Sequence, residues 1–331
     1  MKTNLIIDGN YLLNRLTFTL HKNNLLYGAL YKSLENSINN YKRWYPFSNI
    51  YLVSDSKEKS WRKNLLNEYK LTRKKDSDID WSFVFDTYGD FKRNIVNSTV
   101  LEAPHIEGDD WISFLVNESN LDNSSTVIVS NDYDIKQLVR YTIDPLVINI
   151  MTNEMFNKQK IFLPENYQIF LNELNRLPND DIFNLNDNRE FISLLETFIT
   201  KYDVVDVNWS EMLFIKLVSG DKGDNIDSVW SIIKNGKKRG IGEIGAKKIY
   251  EDYILEFGSL DWGDSDLNEN IADLICEKKK LSKRQIEIIA SNIKKNSKLI
   301  NLDLSELPIE IVNKMKDIYN GKSRRSSISS F

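Results

Sequence analysis

The sequence predicts an α/β fold in which a mostly parallel central sheet is flanked by helices and followed by a helical C-terminal domain. Three runs of bulky apolar residues each end in aspartate: Leu5-Ile6-Ile7-Asp8, Ile50-Tyr51-Leu52-Val53-Ser54-Asp55 and Val127-Ile128-Val129-Ser130-Asn131-Asp132. Short, continuous apolar runs read as buried strands. Stretches of helical periodicity lie between them, and strands alternating with helices imply parallel pairing through crossovers. The pattern changes near Ser210, where six of the 13 glycines crowd between Gly220 and Gly245, a concentration that asks for tight turns or close backbone approach.

In chain order, Leu5 to Asp8 is the first strand, and the stretch from Tyr31 to Trp44 has helical periodicity. The second strand follows from Ile50. Trp61, Leu65 and Tyr69 then recur every four residues within Lys57 to Lys75, which predicts a helix with a narrow apolar stripe and many cations. Gly108 to Ser119 is a helix whose apolar face includes Trp111 and Leu115, and the third strand starts at Val127. Met212 to Val218 is an apolar helix. Gly240-Ile241-Gly242-Glu243-Ile244-Gly245-Ala246-Lys247-Lys248-Ile249 places a glycine-rich turn before a helix that opens with two lysines. A Rossmann reading of these glycines needs a strand before them, and the preceding Lys237-Lys238-Arg239 does not read as one.

Composition narrows the chemistry. The 331 residues are 41% hydrophobic, enough for a substantial core. One cysteine, Cys276, and two histidines, His21 and His105, leave no material for an internal disulfide or a cysteine zinc cage. No signal-peptide pattern or membrane-spanning run is present, so a soluble, cytoplasmic chain is expected. Polar residues ending parallel strands point into one crevice, so Asp8, Asp55 and Asp132 are expected to converge. Each also suits a helix N-cap or turn. Glu107, Asp109 and Asp110 stand where the next helix begins, Asp134 lies two residues after Asp132, and Asp221 and Asp224 occupy Gly220-Asp221-Lys222-Gly223-Asp224-Asn225. Nine carboxylates in one crevice repel one another unless cations are bound. All-oxygen ligation favours Mg²⁺, with Mn²⁺ as a substitute.

A net charge of −4 argues against nucleic acid, but the charge is segregated. Lys57 to Lys75 holds eight Lys/Arg against two Glu, Lys234 to Lys248 six against one, and Glu277 to Lys298 eight against two. With the nine carboxylates set aside, the remainder of the chain carries +5. Lys70 and Arg73, one helical turn apart in the expected helix, suit a shared phosphate, although a charge run is also an ordinary solvated face. The helix start at Gly240 to Lys248 offers free amides to a phosphate, or is a turn packed for structure.

Taken in order, these motifs resemble the structure-specific 5′-nuclease family: flap endonucleases, 5′-nuclease domains of bacterial DNA polymerases, and phage RNase H or 5′-to-3′ exonucleases. The resemblance covers roughly residues 1 to 300 and is strongest to the RNase H of T-even phages. It rests on Asp8 in Ile-Asp-Gly-Asn, Asp55 followed by Trp61-Arg62 and Tyr69-Lys70-x-x-Arg73, Glu107-x-Asp109-Asp110, Ser130-x-Asp132-x-Asp134, Gly220-Asp221-x-x-Asp224-Asn225 and the helix-hairpin-helix-like Gly240-Ile-Gly-x-x-Gly-Ala-Lys247. It implies a PIN-like, resolvase-like core at 1–209 with a helical arch at about 56–95 and an acidic insertion at about 175–209. A helical DNA-binding domain at 210–321 and a disordered basic tail at 322–331 complete the expected organisation.

The implied activity is metal-dependent 5′-to-3′ exonuclease or flap endonuclease chemistry with RNase H activity, removing primers in phage lagging-strand replication. Two Mg²⁺ ions would be held by Asp8, Asp55, Glu107, Asp109, Asp110, Asp132, Asp134, Asp221 and Asp224. Lys70 and Arg73 would polarise the scissile phosphate, Tyr69 would stack on a terminal base, and Gly240, Gly242, Gly245, Lys247 and Lys248 would hold duplex phosphates. Expected partners are duplex DNA with a 5′ flap, nick or RNA primer, and a single-strand DNA-binding protein or sliding clamp, with the nuclease a monomer. A PIN-type ribonuclease, a non-catalytic DNA-binding replication scaffold and a metal-dependent phosphatase are the alternatives.

Overall fold

The computed structural model describes residues 3–42, 47–73, 78–122, 124–130, 132–140, 145–149, 154–157, 160–162, 204–206 and 208–328. They form two compact units. One comprises residues 1–58, 76–207 and 308–331, the other 59–75 and 208–307.

The first unit is built on a sheet of order β3-β2-β1-β4-β5-β6-β7-β8. Its strands are β1 (Thr3–Asp8), β2 (Asn49–Val53), β3 (Thr99–Leu101), β4 (Ser125–Val129), β5 (Pro145–Asn149), β6 (Glu154–Asn157), β7 (Lys160–Phe162) and β8 (Val204–Asp206). Pairing from β3 through β5 is parallel, and from β5 through β8 antiparallel. The three apolar runs are β2, β1 and β4, side by side, with Leu5, Ile7, Leu52, Val127 and Val129 buried in one core. Helix α1 (Gly9–Lys22) leaves β1 directly at Asp8, and α2 (Leu26–Lys42) packs on the same core through Leu26, Leu30, Leu34 and Ile38, an i, i+4 stripe. Helices α3 (Trp81–Asn94) and α4 (Gly108–Leu121) complete the crossovers.

In the second unit, α5 (Trp209–Ser219), α6 (Glu243–Phe257), α7 (Leu267–Lys279) and α8 (Arg284–Ile300) enclose a core including Phe214, Ile249, Ile275 and Ile293. A two-stranded antiparallel sheet, β9 (Ser231–Lys234) and β10 (Lys237–Gly240), stands before α6. A strand does therefore precede the glycine turn. It belongs to an isolated hairpin, not a parallel βαβ unit, and that geometry is what excludes dinucleotide binding of the Rossmann type.

Three sequence expectations change. Lys57 to Lys75 holds no amphipathic helix among its described residues: only Trp61–Asn64 forms a 3₁₀ turn, and Lys70 takes a positive φ of 55°. Its part from residue 59 belongs to the second unit, whereas α3, also within the expected arch, belongs to the first. Helix α9 (Ile309–Ile328) returns to the first unit, so residues 322–328 of the expected disordered tail continue a helix. Tyr319, just before that tail, gives α9 its anchor, its ring 5.6 Å from Phe114 and 6.2 Å from Tyr51. Of the acidic insertion at 175–209, only 204–206, 208 and 209 lie within the described residues. Among the described residues no helix is long and apolar enough to cross a membrane.

Candidate functional site

In the first unit, adjacent parallel strands deliver Asp8, Asp55 and Asp132 at or just beyond their carboxyl ends. Asp8 is buried and both its oxygens are engaged. Oδ1 accepts the Tyr11 N–H at 3.0 Å as the N-cap of α1, and Oδ2 accepts the Ser130 hydroxyl at 2.7 Å. Capping and site placement are the same residue's two roles. Burial pushes its pKa up to about 6, opposed by those two hydrogen bonds and assisted by the negative charges of Asp55 and Asp132.

Asp55 is exposed; its Oδ1 accepts the Gly108 N–H at 2.6 Å at the start of α4. A carboxylate there meets the positive end of a helix dipole. The Asp55 N–H in turn donates to Asn10 Oδ1 at 3.3 Å. Glu107, the N-cap of α4, is buried, Asp109 is half-buried, and Asp110 is fully buried with Oδ2 accepting the Glu107 N–H at 3.1 Å. Asp110 thus braces the helix start from beneath. Asp132 is exposed and accepts the Asp134 N–H at 2.8 Å, while the Asp132 N–H donates to Ser130 Oγ at 3.1 Å.

Sequence reasoning named the acids and missed their supports. Gly9 is obligatory: a Cβ there would lie 2.0 Å from Tyr88 Oη and 2.6 Å from the Val53 carbonyl. Tyr88 itself bonds Ser54 Oγ at 2.7 Å. The Asp-Gly-Asn and Ser-x-Asp-x-Asp spacings were the available signals for Gly9, Asn10 and Ser130.

Seven of the nine expected ligands belong to this unit, and Asp221 and Asp224 to the other. Among the described residues, no three His, Cys, Asp or Glu side chains stand close enough to enclose a metal ion. The carboxylates of Asp8, Asp55, Asp110 and Asp132 each accept a backbone N–H. The donor set still fits a hard divalent cation: it is all oxygen, and Asp8 lies in the negative field of two further carboxylates.

In the second unit, Asp224 is buried and forms an ion pair with Arg73. The Asp224 carbonyl accepts the Lys70 N–H at 3.0 Å, and Asn225 Oδ1 accepts both the N–H and the hydroxyl of Thr72. Burial raises the Asp221 pKa, but Lys216, 2.8 Å away, and the amides of Gly223 and Asp224 outweigh it and hold the group below the ordinary carboxylate value. Tyr69 is a core residue, packed with Leu213, Leu217 and Ile226. Its buried ring is no exposed stacking platform. At the glycine turn, Gly242 caps α6 and Lys247 and Lys248 are exposed, Lys247 bonding Glu211 at 3.0 Å. Gly240 sits against Ser228, whose Cβ would be 2.6 Å from any added Cβ, and Gly245 lies in the first turn of α6.

Residues 3–167 match the family model described as 5′-3′ exonuclease, N-terminal resolvase-like domain. A 5′-3′ exonuclease of Buchnera aphidicola subsp. Baizongia pistaciae is 32% identical over 162 residues, covering 47% of this chain and 53% of that protein. One of Mycoplasmopsis pulmonis is 27% identical over 253 residues, covering 75% of this chain and 66% of that protein. The chain spans about half to two thirds of the length of the curated relatives it matches. Among solved structures, the T5 5′-exonuclease with divalent metal ions (zinc) bound aligns at a TM-score of 0.59 and 17% identity, covering 96% of this chain and 99% of that one. The bacteriophage T5 flap endonuclease, in a pseudo-enzyme-product complex with DNA and metal ions, aligns at 0.57 and 18% identity, covering 96% and 98%. These likenesses establish the fold, and the family match establishes descent: through residues 3–167, this chain belongs to the 5′-3′ exonuclease family.

Proposed function

We propose that this chain is a metal-dependent 5′-to-3′ exonuclease or flap endonuclease that hydrolyses phosphodiesters at the 5′ ends of DNA. The observation that carries this reading is the delivery of Asp8, Asp55 and Asp132 to one end of three adjacent strands, with Asp8 buried in the field of the other two. Burying an ionised carboxylate beside two like charges is unfavourable without a cation, which argues for a site selected for metal binding.

Asp8, Asp55, Glu107, Asp109, Asp132 and Asp134 would hold Mg²⁺ in this reading, with Asp110 bracing the Glu107 backbone; Mn²⁺ would substitute. Asp221 and Asp224 stay in the proposal as ligands by family resemblance. Bound divalent ions lower the pKa of water and stabilise charge on phosphate oxygens. The chain's own part is orientation. Ser130 and the Tyr11 amide fix the Asp8 carboxylate, and the Asp134 amide fixes Asp132. Lys70 and Arg73 are proposed to bind the scissile phosphate, and Gly240 to Lys248 to hold duplex phosphates without reading sequence. The partners of this reading are DNA with a 5′ flap or nick and RNA-primed duplex, with RNase H activity in phage primer removal as its finer form. A single-strand DNA-binding protein or sliding clamp would act with it.

The deciding experiment labels the 5′ end of flapped DNA, nicked duplex and RNA-primed duplex separately, and compares product lengths with Mg²⁺ and with chelator. Mg²⁺-dependent cleavage near the 5′ end is expected. Binding without cleavage on all three substrates would instead establish the alternative, a non-catalytic DNA-binding scaffold, whose signature, loss of the acids, is not seen in the sequence.

A further inference from the structure

The hairpin of β9 and β10 is absorbed by neither the fold's core nor the acidic site. Its central residues Asn235 and Gly236 both take positive φ, 53° and 71°, the signature of a type I′ turn that matches strand twist. The base is fixed. Ser228 Oγ accepts the Ile241 N–H at 2.9 Å and donates to the Trp230 carbonyl at 3.0 Å, and Lys238 pairs with Asp227. Beyond that base every residue from Ile232 to Gly240 is exposed.

The register decides what the ribbon presents. Lys237 lies opposite Lys234, and Arg239 opposite Ile232. Directly opposed residues share a face, and so do residues two apart along a strand, so Lys234, Lys237, Arg239 and Ile232 lie on one face. Like charges directly opposite destabilise a hairpin, and an isolated two-stranded ribbon is marginal already. Three cations on one face are therefore a local cost that a polyanion would relieve. Four residues per strand give a ribbon about 14 Å long, commensurate with a major groove about 12 Å wide that admits a two-stranded ribbon.

The geometry points to this hairpin as a duplex-binding element, its Lys234, Lys237 and Arg239 face set against the phosphate backbone of double-stranded nucleic acid. The inference rests on the nuclease reading for its partner, and adds an element outside the glycine turn. Three phosphate contacts contribute a salt dependence of about 0.9 each in the slope of log affinity against log salt.

The test measures anisotropy of labelled duplex and of single strand of equal length, in chelator, over a salt series. The full-length wild type is compared with Lys234→Gln/Lys237→Gln/Arg239→Gln and with the charge-preserving Lys234→Arg/Lys237→Arg. On duplex, the Gln variant is expected to lose about 2 to 3 from the slope and the Arg variant nothing, with the single-strand slope changing less. Matched thermal midpoints establish that the variants are folded. An unaltered duplex slope in the Gln variant overturns the hairpin's role while wild-type cleavage leaves the nuclease reading standing. An equal loss on single strand overturns the duplex assignment. A wild type that binds no duplex overturns both.

Discussion

Ser130 Oγ donates its proton to Asp8 Oδ2 at 2.7 Å and itself accepts the Asp132 N–H at 3.1 Å. One small side chain thus ties the end of β1 to the loop after β4. Its hydrogen bond also lowers the pKa of Asp8 against the rise caused by burial. Ser130→Ala is expected to raise that pKa further and to loosen Asp132. A hydrogen bond to a charged group is worth about 1.5–3 kcal/mol, so cleavage should fall about 10- to 100-fold, with the acid limb of the pH–rate profile displaced to higher pH. Rates across pH at fixed Mg²⁺ check this.

Asp8 carries a stability cost of its own. Its folded-state pKa of about 6 lies above the ordinary 3.8, so between those values the native state binds the proton more tightly than the unfolded chain. Stability therefore falls as pH rises through that window and stays reduced above it. The rise from 3.8 to about 6 corresponds to about 3 kcal/mol at most. Asp8→Asn should stabilise the metal-free protein by about 1–3 kcal/mol at pH near 7.5 and by almost nothing near pH 4, while abolishing cleavage. Denaturant unfolding in chelator at both pH values reads the difference.

Gly9 is fixed by backbone, which makes its substitution hard to rescue. A Cβ would meet Tyr88 Oη, which a smaller side chain removes, and the Val53 carbonyl at 2.6 Å, which no side-chain change removes. Gly9→Ala should destabilise by about 2 kcal/mol or more, within the range of overpacking, and Gly9→Ala/Tyr88→Phe should recover only part. Thermal unfolding of both variants tests the assignment.

How much of this was legible depended on range. Leu5 to Asp8, Ile50 to Asp55 and Val127 to Asp132 declared strands because continuous apolar runs have few other homes, and their terminal aspartates followed from sheet polarity. Ser130 stood inside a recognised motif, but its bond to Asp8 spans 122 residues. Trp61, Leu65 and Tyr69 imitated a helix. The segment instead turns at Lys70, whose N–H reaches the Asp224 carbonyl, and Thr72 reaches Asn225, 153 residues on. Tertiary contacts at that separation override local periodicity. The Asn235-Gly236 hairpin was visible in principle, masked by lysines of low strand preference.

The Arg73–Asp224 pair yields a separable prediction. Arg73 is 58% exposed at its side chain and Asp224 only 12%, so solvent screens the pair from the Arg73 end alone and its coupling should be about 1 kcal/mol. Arg73→Ala should cost little stability while reducing cleavage well beyond what that loss explains. A double-mutant cycle with Asp224→Asn on unfolding, set beside cleavage rates for each single variant, separates the structural from the functional contribution.

Lys247 and Lys248 are adjacent at the start of α6 but electrostatically unequal. Lys247 bonds Glu211 at 3.0 Å, which raises its pKa through that hydrogen bond and the Glu211 charge; a DNA phosphate would have to compete with that carboxylate. Lys248→Ala should therefore reduce the salt slope of duplex binding by about one contact, and Lys247→Ala by less. Removing the competitor reverses the order: in a Glu211→Gln background, Lys247 is released, wild-type affinity rises, and Lys247→Ala then costs as much slope as Lys248→Ala. Equal slopes for the two lysines in the unmodified background would show that Glu211 does not restrain Lys247 in the bound state.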